Sequence, residues 1–468
     1  MPALPTMDDT GAVIEKEQDL ESYFDAGSKP RERWGVGLEW ERFGLVRENL
    51  TPAPYEGERS VEALLKRLMR DDGWEGLEED GRLLGARRGG TRITLEPGAQ
   101  LEISGGVHKT LDGMRRELSD YIASVEATSS PLGLLWVGIG MQPLAALDQI
   151  PWIPKKRYAI MRDYLPQRGS RGHIMMKQTA CIQANLDYGS EADAMEKMRT
   201  AMGVSPLVTA LFANSPLTEG KANGMMSGRA WAWRDTDPDR CGLLPFVFRD
   251  GARFGDYLEY ALDVPLFFVA RDGAYHPGNG VSFRRFIRRG LDGVRATLSD
   301  FELHLTTLFP EARLKRYIEL RGADSGDAAA CMALAALWKG LLYDGASRRE
   351  AWELVREMTM KERNTLLDEV CRRGPEARMP GERWAGGARS QPALVRDVLV
   401  EVVRLARQGL NNQGAPAEAA YLDTLDLRLG GDGGCPARRL LRAWDEEMQR
   451  DPARLVDQLS RNTLLDAA

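Results

Sequence analysis

Histidine and cysteine are scarce in this sequence. Its 468 residues contain four histidines and five cysteines. The cysteines are far apart, at Cys181, Cys241, Cys331, Cys371 and Cys435. An odd number without close pairs argues against a zinc or iron–sulfur site and favours a reducing compartment. We therefore predict a cytoplasmic protein, in which histidine-based metal or nucleophile chemistry has few residues available.

A strong charge of one sign and a long apolar segment are also missing. The 63 basic and 69 acidic residues give a formal net charge of −6, which provides no general attraction to nucleic acid. The longest apolar stretches, such as Pro131–Gly140, are shorter than the ~20 residues of a membrane-spanning helix. The N-terminal segment lacks the apolar centre of a secretory signal. With 43% hydrophobic residues, we expect a globular protein without a nucleic-acid or membrane partner.

The glycine-rich motifs that often bind phosphate are missing as well. The chain has no GxxxxGK[ST] motif and no GxGxxG after a predicted strand. A nucleotide site would therefore depend on metal ions, arginine and lysine. In residues 214–240, Lys221 and Arg229 follow turn-rich sequence, as anion-binding residues on loops often do. Trp231 and Trp233 lie nearby, although packing is the commoner role for such tryptophans.

The distribution of predicted elements indicates one α+β domain over residues 1–468. No repeat or low-complexity linker divides the chain. After an N-terminal segment, 1–33, the predicted strands cluster in a sheet-rich part, 34–325, and residues 326–468 are mainly helical. This order predicts a sheet that is formed early in the chain, with helices packed against it.

Four predicted strands carry polar faces with related chemistry, because side chains alternate between the two faces of a strand. These faces contain Glu39 and Glu41 in 37–45; Glu96, Gln100 and Glu102 in 94–104; Gln183, Asn185 and Asp187 in 179–188; and Lys315, Tyr317, Glu319 and Arg321 in 314–321. Pro97 and Gly98 indicate a turn or bulge within the second strand. For any single strand, a solvated face is the ordinary interpretation.

Glutamates recur on three of these faces with few lysines beside them. Carboxylates that are neighbours on a sheet repel one another, so a cation would stabilise the cluster. Mg²⁺ fits, because it prefers carboxylate and phosphate oxygens. Such ions could also neutralise charge during phosphoryl transfer from a nucleotide.

Ten sequence motifs, in order, resemble the plant and proteobacterial type of glutamate–cysteine ligase. They are GLEWERFGL, TLEPGAQLEISG, VGIGMQP, IPKKRYAIMRDYLP, QANLDYGSEADAMEKMR, ALFANSPLTEGKANG, DTDPDRCGLLPFVF, YALDVPLFFV, LHLTTLFPEARLKRYIELRGAD and LWKGLLYD. The resemblance runs from about Trp34 to at least Tyr343. Each motif alone is modest, but ten in the same order make a chance resemblance very improbable.

The resemblance implies a glutamine synthetase-like fold and a set of site residues. The fold would be an antiparallel sheet curled into a funnel, with helices outside and a helical C-terminal third. ATP would be a co-substrate together with two or more Mg²⁺ ions. The implied metal ligands are Glu39, Glu41, Glu96, Glu102 and Glu319, and Glu41 and Arg321 would act in catalysis. Gln183, Asn185 and Lys221 are assigned to the nucleotide, and Arg229, Trp233 and Gln178 to the amino-acid substrates.

The implied reaction joins the γ-carboxylate of glutamate to the amine of cysteine through a γ-glutamyl phosphate, the first step of glutathione synthesis. Gln178 stands where the family often has arginine, so a ligase that uses another amine is one alternative. A catalytically silent homologue that binds an amino acid or nucleotide is the other. The resemblance is compatible with a monomer or a homodimer.

Overall fold

The predicted polar strands pair with one another in a single antiparallel sheet. The computed structural model describes residues 11–271, 273–381, 384, 393–430 and 434–461; the ends of the predicted N-terminal and helical parts, 1–10 and 462–468, lie outside them. The strands are β1 Val36–Val46, β2 Glu75–Glu79, β3 Arg82–Arg88, β4 Thr91–Leu95, β5 Leu101–Ser104, β6 Leu134–Val137, β7 Cys181–Leu186, β8 Leu217–Thr218, β9 Lys221–Ala222, β10 Cys241–Gly242, β11 Phe268–Arg271, β12 Ala274–Pro277, β13 Phe309–Pro310, β14 Ala312–Leu314 and β15 Ile318–Asp324.

Helices precede, connect and follow these strands, and they dominate the chain after β15, as predicted. The α-helices are α1 Glu21–Asp25, α2 Val61–Asp71, α3 Leu111–Ser129, α4 Lys156–Tyr164, α5 Gly172–Gln178, α6 Glu191–Leu211, α7 Gly228–Trp233, α8 Phe254–Asp263, α9 Phe283–Arg289, α10 Leu298–Leu305, α11 Ala328–Tyr343, α12 Gly345–Val355, α13 Met360–Arg373, α14 Val395–Asn412, α15 Asp423–Leu429, α16 Pro436–Glu446 and α17 Pro452–Leu459. Short 3₁₀ helices cover Glu17–Leu20, Arg31–Arg33, Ser130–Leu132, Leu147–Gln149, Leu165–Gln167, Pro245–Phe248, Gly374–Glu376 and Pro416–Leu422. The predicted α+β class is confirmed.

The long strand β1 lies at the centre of the sheet. The strand order is β14-β15-β7-β1-β5-β4-β3-β2, and β6 pairs with the far end of β1. Neighbouring strands are antiparallel throughout this sheet. β1 therefore shares one face with β5 on one side and with β7 and β15 on the other.

Two of the predicted strands are each divided in the structure. Residues 94–104 contain the end of β4, the predicted turn and then β5; at the turn the Ala99 N–H donates to the Glu96 carbonyl. The single strand predicted over 314–321 is wrong, because Leu314 pairs with Ile318 and the chain reverses between them. Alternation predicts the face of a side chain, but this reversal contains no glycine, proline or asparagine that would have indicated a turn.

The apolar face of the sheet forms the core with α3, α6 and α11. Leu38 and Trp40 of β1 are buried on this face, together with Ile182 and Leu186 of β7. α11 is rich in alanine and nearly all of its residues are buried. Each large apolar side chain buried here contributes roughly 1.5–3 kcal/mol to folding. Packing on this side leaves the opposite, glutamate-bearing face to line a cavity. No helix among the described residues combines the length and apolar character required to cross a bilayer.

Candidate active site

The polar face of the sheet forms the floor of a cavity of about 350 Å³. Its walls include residues of α1, α4, β11, β12 and the segment after α10. Seven residues predicted for the site line it: Glu39, Glu41, Glu96, Glu102, Gln183, Glu319 and Arg321. The structure therefore brings together all five predicted metal ligands.

Strand register explains why these glutamates meet. Glu41 of β1 is directly opposite Glu102 of β5, and Glu39 lies between Ser104 of β5 and Gln183 of β7. Directly opposite residues of antiparallel strands lie on the same face. The alternation along β1 thus holds in the folded chain.

The carboxylates on β1 and β5 accept hydrogen bonds from neutral groups. Glu41 accepts from the Cys181 backbone N–H at 2.8 Å and lies 3.1 Å from the Cys181 thiol. Glu102 accepts from the Ser104 hydroxyl at 2.8 Å, and Glu39 from the Asn185 amide at 3.0 Å. We call Glu39, Glu41, Glu96 and Glu102 the acidic cluster. None of its members has an ion-pair partner within 4.0 Å among the described residues.

Burial and mutual repulsion perturb the acidic cluster. Burial, reinforced by Glu96, raises the pKa of Glu41 to about 7. Burial and the neighbouring glutamates raise the pKa of Glu102 well above its usual value. Burial, reinforced by Glu319, also raises the pKa of Glu39. These side chains would be stabilised as carboxylates by a bound cation.

The acidic cluster is not a closed chelating site as it stands. Within the part of the chain that the structure describes, no three histidine, cysteine or acidic side chains lie close enough to hold a metal ion. The donors are nevertheless carboxylate oxygens on rigid strands, which suits a hard divalent cation. A cation would therefore have to draw these side chains together.

The β14–β15 hairpin supplies positive charge on the same face. Glu319 forms ion pairs with Arg313, Arg321 and Lys315, the last at 2.9 Å. Burial alone would raise the pKa of Glu319, but the three cations hold it well below its usual value. We call these four residues the basic cluster.

Arg321 connects the basic cluster to the rest of the site. Its Nη1 donates to the Gln183 side-chain oxygen at 2.7 Å. Its backbone carbonyl accepts from Nη2 of Arg229 at 2.7 Å. The guanidinium lies 5.7 Å from the ring centres of both Trp233 and Phe309. Arg321 thus contacts residues predicted for both nucleotide and amino-acid binding.

A smaller pocket of about 90 Å³ lies beside the main cavity. Arg229, Trp233 and Cys181 line this inner pocket, and Glu41 and Arg321 border both spaces. The inner pocket therefore contains two of the residues predicted to bind the amino-acid substrates, Arg229 and Trp233.

Two serines and an aspartate fix the helix that carries Arg229 and Trp233. The Ser227 hydroxyl caps α7 and donates to Asp324 at 2.8 Å. The Ser215 hydroxyl accepts from the Arg229 backbone N–H at 3.1 Å and donates to the same aspartate at 2.6 Å. These bonds position α7 against the end of β15.

Three of the predicted site residues line neither of these two spaces. The Gln178 amide donates to the Ala145 carbonyl at 3.2 Å and lines neither the cavity nor the inner pocket. Lys221 is exposed on the two-residue strand β9. The cause is that α5 ends at Gln178 and directs this side chain toward Ala145 in the segment after β6, while β9, which carries Lys221, is exposed. Asn185 contacts Glu39 instead of lining the cavity.

Sequence reasoning missed several cavity residues. Lys155, Arg157 and Tyr158 line the main cavity from the start of α4, and burial lowers the pKa of Lys155 to about 8. They belong to the quoted motif IPKKRYAIMRDYLP, whose run of cations was an available signal. Cys181 is also buried in the site, where its thiol contacts Glu41.

Comparison with known protein families gives a match over most of the chain. The glutamate-cysteine ligase family 2 profile matches residues 35–458. Glutamate–cysteine ligase B of Oryza sativa subsp. japonica is 40% identical over 437 residues, which cover 93% of this chain and 85% of that protein. The Medicago truncatula glutamate–cysteine ligase is 38% identical over 462 residues, or 98% and 88% of the two chains.

Two solved structures share the fold. Glutamate–cysteine ligase from Francisella tularensis, in complex with AMP, has a TM-score of 0.52 and 11% identity, covering 93% of this chain and 90% of that one. A bifunctional glutathione synthetase from Pasteurella multocida has a TM-score of 0.52 and 14% identity, covering 95% and 53%. At these identities the likeness concerns the fold alone.

The relatives contradict the predicted cytoplasmic location. The matched enzymes of rice and Medicago truncatula are chloroplastic proteins. The prediction used cysteine content, which reflects the redox environment and does not identify the compartment that provides it. All five cysteines are free in the structure.

Proposed function

The chain belongs to the glutamate–cysteine ligase family, and we propose that its two adjoining spaces bind ATP with Mg²⁺ and the amino-acid substrates. The enzyme catalyses the ATP-dependent first step of glutathione synthesis. The position of Arg321 is the observation that best supports this assignment. Arg321 borders both spaces, with an acidic cluster suited to cations on one side and the Arg229 pocket on the other.

The acidic cluster is proposed to hold Mg²⁺. Its oxygen donors suit that ion, and burial together with neighbouring glutamates raises the pKa values of Glu39, Glu41 and Glu102, so that a cation would favour their charged forms. Bound Mg²⁺ would neutralise phosphate oxygens as the phosphoryl group is transferred. Glu319 stays a predicted ligand, but it would have to exchange one of its three ion pairs for the metal.

The basic cluster and the start of α4 are proposed to bind the phosphates of ATP. Lys155 and Arg157 line the main cavity, and no P-loop is present to do this. Gln183 accepts from Arg321 and so fixes the direction of its guanidinium. Asn185 acts through Glu39, whose carboxylate it holds.

The inner pocket is proposed to bind glutamate. Arg229 would pair with the α-carboxylate, because a guanidinium and a carboxylate can form two parallel hydrogen bonds. Trp233 would pack against the aliphatic part of the substrate. The γ-carboxylate would then lie toward the main cavity, where Glu41 and Arg321 border both spaces.

The reaction proceeds by two displacements. An oxygen of the γ-carboxylate attacks the γ-phosphorus of ATP, and ADP leaves. The neutral amine of cysteine then attacks the γ-carbonyl carbon, a C–N bond forms, the C–O bond to phosphate breaks, and the nitrogen releases a proton as phosphate leaves. Arg321 stabilises the negative charge that develops in both steps. Neither step requires a nucleophile from the protein.

Measurement of ADP release tests this assignment. With Mg²⁺, ATP and glutamate, we expect cysteine to stimulate ADP release and to yield γ-glutamylcysteine by mass spectrometry. Because Gln178 faces away from the cavity, it gives no reason to prefer another amine. Stimulation by a different amine with none by cysteine would refute the acceptor, and no ADP with any amine would favour a silent homologue.

A further inference from the structure

A second cavity, of about 470 Å³, lies beneath the C-terminal helices. Its walls come from the segment after β15, the start of α11, and helices α15, α16 and α17. It shares no lining residue with the main cavity or the inner pocket. Substrate binding as proposed above therefore leaves this cavity without a role.

Arginine dominates the charged lining of this second cavity. Four arginines line it, Arg428, Arg439, Arg442 and Arg461, together with the acids Asp324, Asp327 and Glu447. Among the described residues, Arg461 is the one member of the four with an ion-pair partner within 4.0 Å, Asp457. The other three guanidiniums have no carboxylate at that distance in the described part of the chain.

Two of the acids are already used by the fold. Asp324 accepts hydrogen bonds from the Asn214 N–H and from the Ser215 and Ser227 hydroxyls. Asp327 accepts from the Ala330 N–H and caps α11. The oxygens of these two acids are therefore occupied by neutral donors, and neither acid forms an ion pair with Arg428, Arg439 or Arg442 among the described residues.

Arg428 is a buried arginine in the wall of this cavity, so the positive lining does not consist of surface side chains alone. The residue is 6% exposed, its Nε has no hydrogen-bond partner among the described residues, and Nη1 reaches the Leu211 carbonyl only at 3.5 Å. Burial lowers the pKa of Arg428 to about 10, so it stays charged at neutral pH. A buried guanidinium with so few partners is costly unless an anion pairs with it.

The start of α16 adds to the positive potential. Pro436 and Arg439, in the first turn of this 11-residue helix, both line the cavity, and no side chain caps the helix N-terminus. Pro436 has no N–H, and the N–H groups of Ala437 and Arg438 donate to the carbonyls of Ala213 and Cys435, so this helix N-terminus contributes only a weak partial positive charge. It lies next to the same space as the unpaired arginines.

We propose that this second cavity binds a phosphate-bearing small molecule. A guanidinium can donate two parallel hydrogen bonds to phosphate oxygens, and the three arginines without ion-pair partners can pair with more than one negative charge. The volume exceeds that of a single phosphate ion, so the ligand would carry a further group. The site is separate from the one where ATP reacts.

Titration calorimetry with pyrophosphate in metal-free buffer tests the proposal. The informative variant is the double change Arg439→Met and Arg442→Met, because both residues are exposed and should tolerate it. Arg438→Met is the matched control, since Arg438 lies on the same helix but does not line the cavity. Any binding in the catalytic cavity is common to all three proteins and cancels in the comparison.

We expect pyrophosphate affinity to fall at least tenfold in the double variant and to change less than twofold in Arg438→Met. Arg428→Met, checked for folding by circular dichroism, should weaken binding equally. Equal binding by wild type, double variant and control would overturn the proposal, as would no binding by the wild type. Citrate that binds more tightly than pyrophosphate through the same arginines would overturn the phosphate assignment.

Discussion

The acidic cluster and the basic cluster, on two sides of the main cavity, contain the same residue type in opposite electrostatic states. In the acidic cluster, burial and neighbouring glutamates raise the pKa of Glu41 to about 7. Across the cavity, Arg313, Lys315 and Arg321 hold the pKa of Glu319 well below its usual value against the effect of burial. Both glutamates lie on one sheet face, so neighbours and not residue type determine their charge.

This difference is consistent with separate roles for the acidic cluster and the basic cluster. The acidic cluster has no ion-pair partner among the described residues, and it is therefore where Mg²⁺ is proposed to bind. The basic cluster contains three cations and one carboxylate, and the ion pair with Glu319 and the hydrogen bond to Gln183 hold Arg321 in position without a ligand. Electrostatic stabilisation of a transition state is most effective when the charged groups are held in place before the reaction. The following predictions test this division, beginning with the largest effect.

Removal of the guanidinium that joins the two sides should have the greatest consequence. We expect Arg321→Met to lower kcat by about 10³-fold or more, as is typical of arginines that stabilise a transferring phosphoryl group. Steady-state ADP release measures this loss. The control is Arg316→Met, because Arg316 lines the same cavity but pairs with Glu302 away from the acidic cluster. Similar losses in both variants would contradict a special role for Arg321.

Neutralisation of one acidic-cluster carboxylate should come next. We expect Glu41→Gln to reduce kcat by about 100-fold, because even groups that only support metal ligands contribute 10- to 100-fold. A Mg²⁺ titration should show that more metal is needed for half-maximal rate. Glu302→Gln, which changes another carboxylate of the cavity wall, should retain the wild-type dependence on Mg²⁺. An unchanged rate for Glu41→Gln would remove this residue from the site.

The same glutamate should make the stability of the metal-free protein depend on pH. The folded chain retains the Glu41 proton up to about pH 7, whereas the unfolded chain loses it near 4.5. The native state therefore binds more protons in this interval, and stability falls as pH rises from about 5 to about 7. Relative to Glu41→Gln, the wild type should lose up to about 3 kcal/mol, at 1.36 kcal/mol per pKa unit.

Urea denaturation in EDTA at several pH values measures this difference. Glu302→Gln should follow the wild-type profile, since it keeps Glu41. Addition of Mg²⁺ at pH 8 should stabilise the wild type more than Glu41→Gln. If the free energy of unfolding changes with pH in the same way for the wild type and Glu41→Gln, the pKa of Glu41 is not raised in the metal-free protein.

Replacement of the inner-pocket arginine should affect one substrate selectively. We expect Arg229→Lys to raise the KM for glutamate about 10- to 100-fold, since hydrogen bonds to charged groups contribute about 1.5–3 kcal/mol. The KM for ATP should change much less. Arg234→Lys is the control, because Arg234 follows the same helix but pairs with Asp368. A rise confined to ATP would reassign Arg229.

The fold was predictable where a short pattern determines it. Alternation along β1 placed Glu39 and Glu41 on one face, and strand pairing preserves that arrangement. The reversal between Leu314 and Ile318 was not predictable, because its residues lack turn preferences and tertiary pairing imposes it. The sheet-rich part and the helical end were predictable from the order of elements.

The site was predictable where it lies on strands and less so where loops build it. The glutamates and Arg321 follow the two-residue period. The contribution of Lys155 depends on how α4 approaches the sheet, which no local spacing encodes. Cys181 lies two residues before Gln183 on β7 and follows the same two-residue period. Gln178 and Lys221 were selected by motif and by composition, and neither property determines the direction of a side chain.

Lys221 provides the smallest expected effect and the sharpest test of that distinction. It is exposed on a two-residue strand and lines neither space of the catalytic site. We therefore expect Lys221→Ala to change kcat and the KM for ATP by less than twofold, whereas Lys155→Ala should raise the KM for ATP at least tenfold. The pair compares a lysine chosen from sequence with one found in the structure. A rise in the ATP KM for Lys221→Ala that equals the rise for Lys155→Ala would mean that the β8–β9 hairpin reaches the nucleotide during turnover, and that the basic side extends beyond the sheet.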